Sequence, residues 1–279
     1  MCILFVYTDP APKPGGYRIV IASNRDETYS RPAAAAHTCE KTNVIGGRDM
    51  EVGRENGMWL GISPKRTEHC RFRFGALLNV TGEEKKSGVK GRGFIVTDFL
   101  KGSDMAEQYV DCLEKSEEVL NSFNFVAVEL SDGHVKTYHT SNAPPGCKVF
   151  EGKQVMGFGN STCESPLQKV QAGKERFLEI INRNNSKERK DELYKELLDL
   201  LRWRKKHLPD DELSRRAPGI VDKLCQVYVE FISAGYGTRT HSIILVDYDW
   251  NCDFIEDSMK EPIDPNNPCW GNVRISPRL

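Results

Sequence analysis

The sequence predicts a layered α+β domain, with β-strands at both ends of the chain and helices between them. Strand-like runs occupy 2–7 and 18–23, and others follow at 236–249 and 254–258. Between them, apolar residues recur at helical spacing over 167–181 and 191–203. Strands on both sides of a helical middle favour a domain in which helices pack on sheets. Because no internal repeat or low-complexity linker interrupts the chain, we predict a single domain over 1–279, with a C-terminal tail from about 261.

The other elements follow from local patterns. Ser131-Asp132-Gly133 indicates a tight hairpin between two β-rich runs. Ser165 and Pro166 predict a helix start, with serine as the N-cap and proline at the first helical position. The mixed basic and acidic stretch 202–219 predicts a surface loop, and the proline-rich end of the chain an extended coil. The remaining predicted strands and helices lie at 58–62, 74–80, 124–130 and 134–139, and at 94–100 and 104–120.

Composition excludes several classes of protein. The 279 residues have a formal net charge of −1, so no global field attracts nucleic acid. The apolar run Cys2–Tyr7 is too short for a membrane span or a signal sequence. We therefore predict no nucleic-acid partner and no membrane span, and leave open a peripheral membrane contact through the basic segment Arg202–His207. The sequence sets no oligomeric state.

The cysteines indicate a reducing compartment. The chain has nine, an odd number, and no two stand in a Cys-x-x-Cys pair. This spacing predicts neither a zinc site nor a disulfide scaffold, and it is typical of a cytoplasmic protein. We expect no metal ligands and no required cofactor.

Cys2 is the first candidate for chemistry. If the initiator methionine is removed, this residue carries both a thiol and a free α-amine. The amine has a reference pKa of about 7.7–8.0, so it can act as a base near neutral pH. A nucleophile activated by its own N-terminal amine is an established route to acyl transfer. The alternative is a buried cysteine without chemistry.

Asn24-Arg25-Asp26-Glu27 form the second candidate, at the predicted end of the second strand. A hairpin would bring this tetrapeptide near Cys2. There arginine would favour the thiolate and aspartate would hold an ammonium group. The alternative is a polar cap or turn at a strand end.

Together these features make the chain resemble the NRDE family, named for that tetrapeptide, and more closely the transport and Golgi organisation protein 2 family. The resemblance runs from residue 1 to about residue 260. Beyond Cys2 and the tetrapeptide, it rests on the segments Tyr29–Pro32, Trp59–Ser63, Gly91–Gly93 and Tyr236–Thr240.

The resemblance implies a four-layer αββα sandwich of the N-terminal-nucleophile hydrolase type, like choloylglycine hydrolases and penicillin V acylases. Arg25 and Asp26 are adjacent here, whereas those hydrolases space the pair differently. By motif, the implied catalytic set is Cys2, Arg25, Asp26, Asn79, Asn160 and Arg239, with the two asparagines near a developing oxyanion. The implied ligand-binding set is Asn24, Arg25, Asp26, Glu27 and Arg31.

Three functions stay open at this point. The resemblance implies intracellular haem trafficking, with haem as cargo, and a link to Golgi organisation and lipid homeostasis. The residues themselves favour a cysteine-dependent hydrolase of a linear amide C–N bond. The resemblance also implies a binder of acyl-CoA or lipid, and it adds mitochondrial or Golgi association to the cytoplasmic location. The six histidines, each a candidate axial ligand of haem iron, are His37, His69, His134, His139, His207 and His241.

Overall fold

The chain forms two antiparallel sheets, described over residues 2–67 and 70–279 in a computed structural model. Numbered in chain order, the strands of the first sheet are β1 (Ile3–Thr8), β2 (Tyr17–Thr28), β10 (Gln154–Phe158), β11 (Glu230–Phe231), β12 (Tyr236–Asp247), β13 (Cys252–Met259) and β14 (Trp270–Ile275). Those of the second sheet are β3 (Ala33–Thr38), β4 (Ile45–Asp49), β5 (Leu60–Ser63), β6 (Phe72–Asn79), β7 (Phe123–Ser131), β8 (His134–Asn142) and β9 (Pro145–Glu151). The first sheet has the order β10-β1-β2-β12-β13-β14, with β11 beside β12, and the second follows chain order.

Along the described residues, six α-helices cover the outer faces of the sheets and the connections between them. They are α1 (Gly93–Lys101), α2 (Ala106–Glu114), α3 (Gln168–Asn184), α4 (Lys190–Leu201), α5 (Asp211–Arg216) and α6 (Val221–Leu224). The helices α1 and α2 pack on the second sheet, and α3 and α4 pack on the first. Short 3₁₀ turns occupy Lys187–Arg189 and Ile232–Ala234.

Alternation along the strands separates the cores. In β1, Leu4 and Val6 face the second sheet, whereas Ile3 and Phe5 face α3. The Phe5 ring stacks on Phe177 at 5.7 Å between centroids. A Cβ added at Gly173 of α3 would lie 2.3 Å from the Phe5 ring, so this position must be glycine for the helix to approach β1.

The predicted combination of sheets and helices is confirmed. The structure adds that the sheets are two and that both are antiparallel. Several bounds differ from the prediction. β2 continues through Asn24–Glu27, so the tetrapeptide lies inside a strand and not after it. Cys2 immediately precedes β1, in which Ile3 pairs with Asn24. The alanine-rich β3, the edge strand β9 and the strands β4, β10 and β11 were not predicted. The chain end, predicted as coil, contributes β14 to the first sheet.

The helices also differ in detail. The helix predicted to start at Ser165-Pro166 begins at Gln168, with Leu167 as its N-cap. Asp210 makes this start favourable, because its carboxylate accepts from the Gln168 N–H at 2.8 Å. The helix predicted at 104–120 ends at Glu114. The predicted surface loop at 202–219 contains α5, which Asp210 caps by accepting from the Leu213 N–H.

Buried histidines should make stability depend on pH. His139 stacks on Phe158 at 5.3 Å between the two sheets, and burial lowers its pKa to about 4. In the unfolded chain His139 binds a proton near pH 6.5, whereas in the folded chain it stays neutral until the pH approaches about 4. His139 therefore destabilises the fold as the pH falls from about 6.5 toward about 4, at a cost on the order of 3 kcal/mol.

We expect a His139→Phe variant to keep the stacking and to lose less unfolding free energy between pH 7 and pH 4 than the wild type does. Urea denaturation across this pH range measures the difference. His134→Gln, an exposed site on the same hairpin, serves as the control. If His139→Phe shows the same pH dependence of stability as the wild type, His139 is not the cause of the loss at low pH.

Candidate functional site

A cavity of about 670 Å³ opens where Cys2 and the end of β2 meet the end of β6 and the start of α1. Its volume lies within the ~300–1,000 Å³ range of small-molecule sites. Apolar side chains form much of its wall: Met58, Trp59, Leu77, Val80, Phe94, Ile220, Leu224, Phe231 and Tyr236. Basic side chains contribute Arg25, Arg31, Arg54, Lys85, Lys90 and Arg92, against the acidic Asp26, Glu27, Asp49 and Glu83. The cavity therefore combines apolar surface with an excess of positive charge.

Cys2 is half-buried at this cavity and its thiol lies against the backbone of Asp26. The Asp26 N–H points to Cys2 Sγ at 3.4 Å, and Sγ lies 3.7 Å from the Asp26 carbonyl oxygen. Burial raises the pKa of the Cys2 thiol, and the charge of Asp26 also raises it. The neutral thiol is therefore favoured over the nucleophilic thiolate.

Arg25 lies beside Cys2 as a buried cation. Its side chain is only 6% exposed, and its guanidinium lies 4.0 Å above the ring of Trp59. The Nη1 atom has no hydrogen-bond partner among residues 2–67 and 70–279. Burial lowers the pKa of Arg25, and the nearby charge of Arg239 lowers it further. The face of Trp59 and the nearby charges of Glu27 and Asp49 stabilise this buried cation, which is costly to desolvate.

Asp26 is held from the neighbouring strand. Its Oδ1 accepts from Thr238 Oγ1 at 2.6 Å, and Tyr236 donates to its backbone oxygen at 3.2 Å. Burial raises the pKa of Asp26, while the positive charge of Lys169 on α3 opposes that rise. Lys169 is itself fully buried, and burial lowers its pKa. The aspartate thus belongs to an enclosed polar cluster at the bottom of the site.

The two predicted oxyanion-side asparagines both line the cavity, on the side opposite β2. Asn160 is buried, and its Nδ2 donates to the backbone oxygen of Asn79 at 2.5 Å. Asn124 holds this loop in place by donating to the carbonyl oxygens of Gly159 and Ser161. One of the two N–H donors of the Asn160 amide is therefore already used within the protein.

Arg239, the last member of the implied catalytic set, does not line this cavity. It is the extra residue where β12 shifts register against Arg25 and Asp26. Its guanidinium donates to the carbonyl oxygens of Thr28 and Arg31, and to Glu261 at 2.7 Å. A second, smaller pocket contains it. Arg239 thus fixes the segment after β2 and acts on the site only through that segment.

Asn24 also lies outside the cavity, although it was predicted as a ligand contact. Its Nδ2 donates to the carbonyl oxygens of Leu201 and Val227, and its Oδ1 lies 2.7 Å from His241 Nδ1. The other predicted ligand contacts line the cavity. Among them Arg31 pairs with Asp49 at 2.6 Å and lies 3.9 Å from Glu27. Alternation along β2 directs Asn24 toward the helices and Arg25 toward the second sheet, whereas Asp26, on the same face as Asn24 but nearer the strand end, reaches the cavity.

Sequence reasoning missed several of the cavity residues. Arg54 and Lys90 were not singled out, and Arg92 and Tyr236 were noted only as parts of family segments. The available signal was the glycine-flanked Lys90-Gly91-Arg92-Gly93, which places basic residues at the start of a helix.

None of His37, His134, His139, His207 and His241 lines the cavity, and His69 lies outside the described residues. Within 2–67 and 70–279, no three His, Cys, Asp or Glu side chains are grouped to hold a metal ion. Across the same residues, no helix has the length and apolar character needed to cross a membrane. The sulfur and phenol groups at the cavity are those of Cys2, Met58 and Tyr236.

Asn24 should matter for stability and not for cavity chemistry. We expect Asn24→Ala to lower the unfolding free energy by roughly 3 kcal/mol, because it leaves buried carbonyl groups and His241 without partners. Urea denaturation measures this loss. The rate of Cys2 alkylation by iodoacetamide should stay close to that of the wild type under native conditions. A stable Asn24→Ala variant would show that these hydrogen bonds contribute little.

Comparison with known proteins confirms the resemblance. A family model described as Transport and Golgi organisation 2 matches residues 1–261. The chain is 38% identical over 281 residues to Transport and Golgi organization protein 2 of Drosophila melanogaster, covering 99% of this chain and 97% of that protein. It is 35% identical over 267 residues to the Homo sapiens homolog, covering 94% of each. Every residue that lines the cavity falls within the span that the family model matches.

Proposed function

We infer the function from two premises: the chain belongs to the Transport and Golgi organisation 2 family, and its cavity combines apolar walls with excess cationic groups. We propose that it binds and releases an amphipathic, anionic small molecule, with haem as the cargo. Haem has a broad apolar face and two propionates, so its carrier needs both kinds of surface. The names of the relatives refer to transport and the Golgi, and they supply no ligand.

The observation that carries the proposal is Arg25. A buried guanidinium with an unpartnered Nη1 at the wall of an open cavity is a charge that an entering anion would stabilise. A carboxylate from a ligand would make a charge-assisted hydrogen bond there. The adjacent Trp59 offers an indole face on which an apolar ring system can pack.

Release of the cargo also fits the side chains present. No described histidine lines the cavity, so a strong bis-histidine ligation is not formed there. The neutral thiol that burial favours at Cys2 is a weak iron ligand. A cargo held mainly by apolar contact and by its carboxylates exchanges more readily than one that is fixed through its iron.

Hydrolysis by Cys2 is the second candidate function. It rests on the position of Cys2 directly before β1, within two packed sheets that carry helices on their outer faces. That arrangement supports an αββα fold of the N-terminal-nucleophile hydrolase type, with a linear amide as substrate.

Binding of acyl-CoA or a lipid is the alternative for a carrier, because it needs the same combination of apolar and cationic groups. We further propose a cytoplasmic site of action with Golgi or mitochondrial association.

Arg25 gives the first test. We expect Arg25→Met to weaken haem binding about tenfold or more, as measured by absorbance titration, because one charge-assisted hydrogen bond is lost. The same variant should be at least as stable to urea as the wild type, since it removes a buried charge without a partner. Arg73→Met is the matched control. Arg73 is equally buried but pairs with Glu129 at 3.0 Å and donates to Gly102 and Asp104, so its loss should destabilise the fold without affecting haem affinity. Equal affinity in Arg25→Met and wild type would contradict the role of Arg25.

Cys2→Ser separates carriage from hydrolysis, because serine keeps the size and a hydroxyl but loses thiolate chemistry. We expect this variant to bind haem and to rescue a haem-trafficking defect in cells lacking the protein. Cys163→Ser, at a half-buried cysteine outside the cavity, serves as the control. Loss of rescue with intact haem binding would favour covalent catalysis. If the wild type shows no saturable haem binding, direct haem carriage is wrong.

A further inference from the structure

Positive charge in the cavity is concentrated where α1 begins. Lys90, Gly91, Arg92, Gly93 and Phe94 all line the wall at this end. Arg92 is the N-cap of α1, no side chain caps the helix, and its first turn contains no acidic residue. The positive end of the helix dipole therefore faces the cavity without a carboxylate to offset it.

Glycines bring a further guanidinium to the same place. A Cβ at Gly91 would lie 2.8 Å from Cδ of Arg54, so the absence of a side chain there leaves room for Arg54. A Cβ at Gly93 would lie 2.9 Å from the backbone nitrogen of Met58, which donates to the Gly93 carbonyl oxygen at 3.0 Å. The segment that carries Arg54 thus packs directly on the start of α1.

Three guanidinium groups of this cavity have no carboxylate at ion-pair distance within 2–67 and 70–279. They are Arg25, Arg54 and Arg92. Burial lowers the pKa of Arg92, and the like charge of Arg54 lowers it further. Arg92 Nη1 donates to the Ser122 carbonyl oxygen at 2.5 Å, which fixes the guanidinium in place. Like charges held together in this way repel one another unless an anion lies between them.

Arg25 supplies independent support for a ligand. It lies on β2 and not on the helix, it is 6% exposed, and its Nη1 has no partner among the described residues. The charges of Glu27 and Arg31 act on Arg92 as well, which places the start of α1 within electrostatic range of the end of β2. The helix start and the buried arginine therefore face one site.

We propose that Arg54, Arg92 and the N-terminus of α1 form an anion subsite that binds the phosphate or carboxylate group of the ligand. This inference rests on the proposed function and adds the orientation of the ligand. The anionic group lies at α1, and the apolar body extends over Trp59 and Met58 toward Cys2. Phosphate and carboxylate share the chemistry that arginine forks and helix N–H groups recognise. They differ in source, since one belongs to a phosphate ester and the other to a propionate or a free acid.

Inorganic phosphate and pyrophosphate test the subsite without any assumption about haem. We expect pyrophosphate to raise the melting temperature of the wild type saturably, relative to sodium chloride at equal ionic strength. Arg54→Gln and Arg92→Gln should each weaken this effect about fivefold to tenfold. Lys115→Gln, an exposed position at the end of α2, is the control and should behave like the wild type. Arg54→Gln keeps the bond from Arg92 to Ser122, so it remains informative if Arg92→Gln folds poorly.

Haem and haem dimethyl ester then identify the source of the anion. If the group is a carboxylate, the wild type should bind haem about tenfold more tightly than the ester, and Arg54→Gln should remove that difference. Binding of pyrophosphate without binding of haem would support the subsite for a phosphate ester and reject haem as cargo. Haem binding that is equal in the ester and in both arginine variants, together with no effect of phosphate, would overturn the subsite while leaving haem carriage intact.

Discussion

The alternation of side chains along β2 is the constraint on which the site depends. β2 continues through Thr28 as a central strand, paired with β1 on one side and β12 on the other. Because successive residues of a strand face opposite sides, Asn24 must enter the helical layer when Arg25 enters the space between the sheets. A shift of one residue would exchange these roles and bury the wrong polar groups. Within the tetrapeptide, Asn24 thus anchors β2 to the helical layer, and Arg25 lines the candidate ligand site.

The long apolar strands and the helices α1 to α4 could be predicted from sequence because apolar periodicity reflects burial directly. The extension of β2 through its polar end could not be predicted, because polar residues at the end of an apolar run usually mark a turn. Here their partners come from distant segments: Leu201 and Val227 for Asn24, and Thr238 for Asp26. β3 was missed because a run of alanines has low β-propensity. Its place is fixed by carboxylates of β13 and of the segment that follows it, since Glu256 accepts from the Ala36 N–H and Glu261 from the Ala33 N–H.

Prediction of the candidate site from sequence met the same limit, because contacts with distant segments decide where side chains lie. Motif matching brought Cys2, Arg25, Asp26, Asn79 and Asn160 to one cavity, and their catalytic and binding roles stay predictions. It misplaced Arg239, because the register shift in β12 cannot be read from the sequence of that strand alone. The bulge turns a residue that was expected at the reaction centre into one that holds the segment 28–31. A bulge next to a functional site commonly redirects one side chain in this way.

The electrostatics of the enclosed groups favour the binding of an anion over covalent chemistry at Cys2. Burial works against the charged form of Cys2, of Asp26 and of Lys169 alike. Of the two asparagines expected to stabilise an oxyanion, Asn160 already donates one N–H of its side-chain amide to the backbone of Asn79. By contrast, Arg25, Arg54 and Arg92 hold positive charge at the cavity without acidic partners among the described residues. An anion that enters lowers the energy of these cations at once, whereas thiolate attack first requires a deprotonated Cys2. Neutralisation of these cations by a bound anion therefore contributes to ligand affinity without any covalent step.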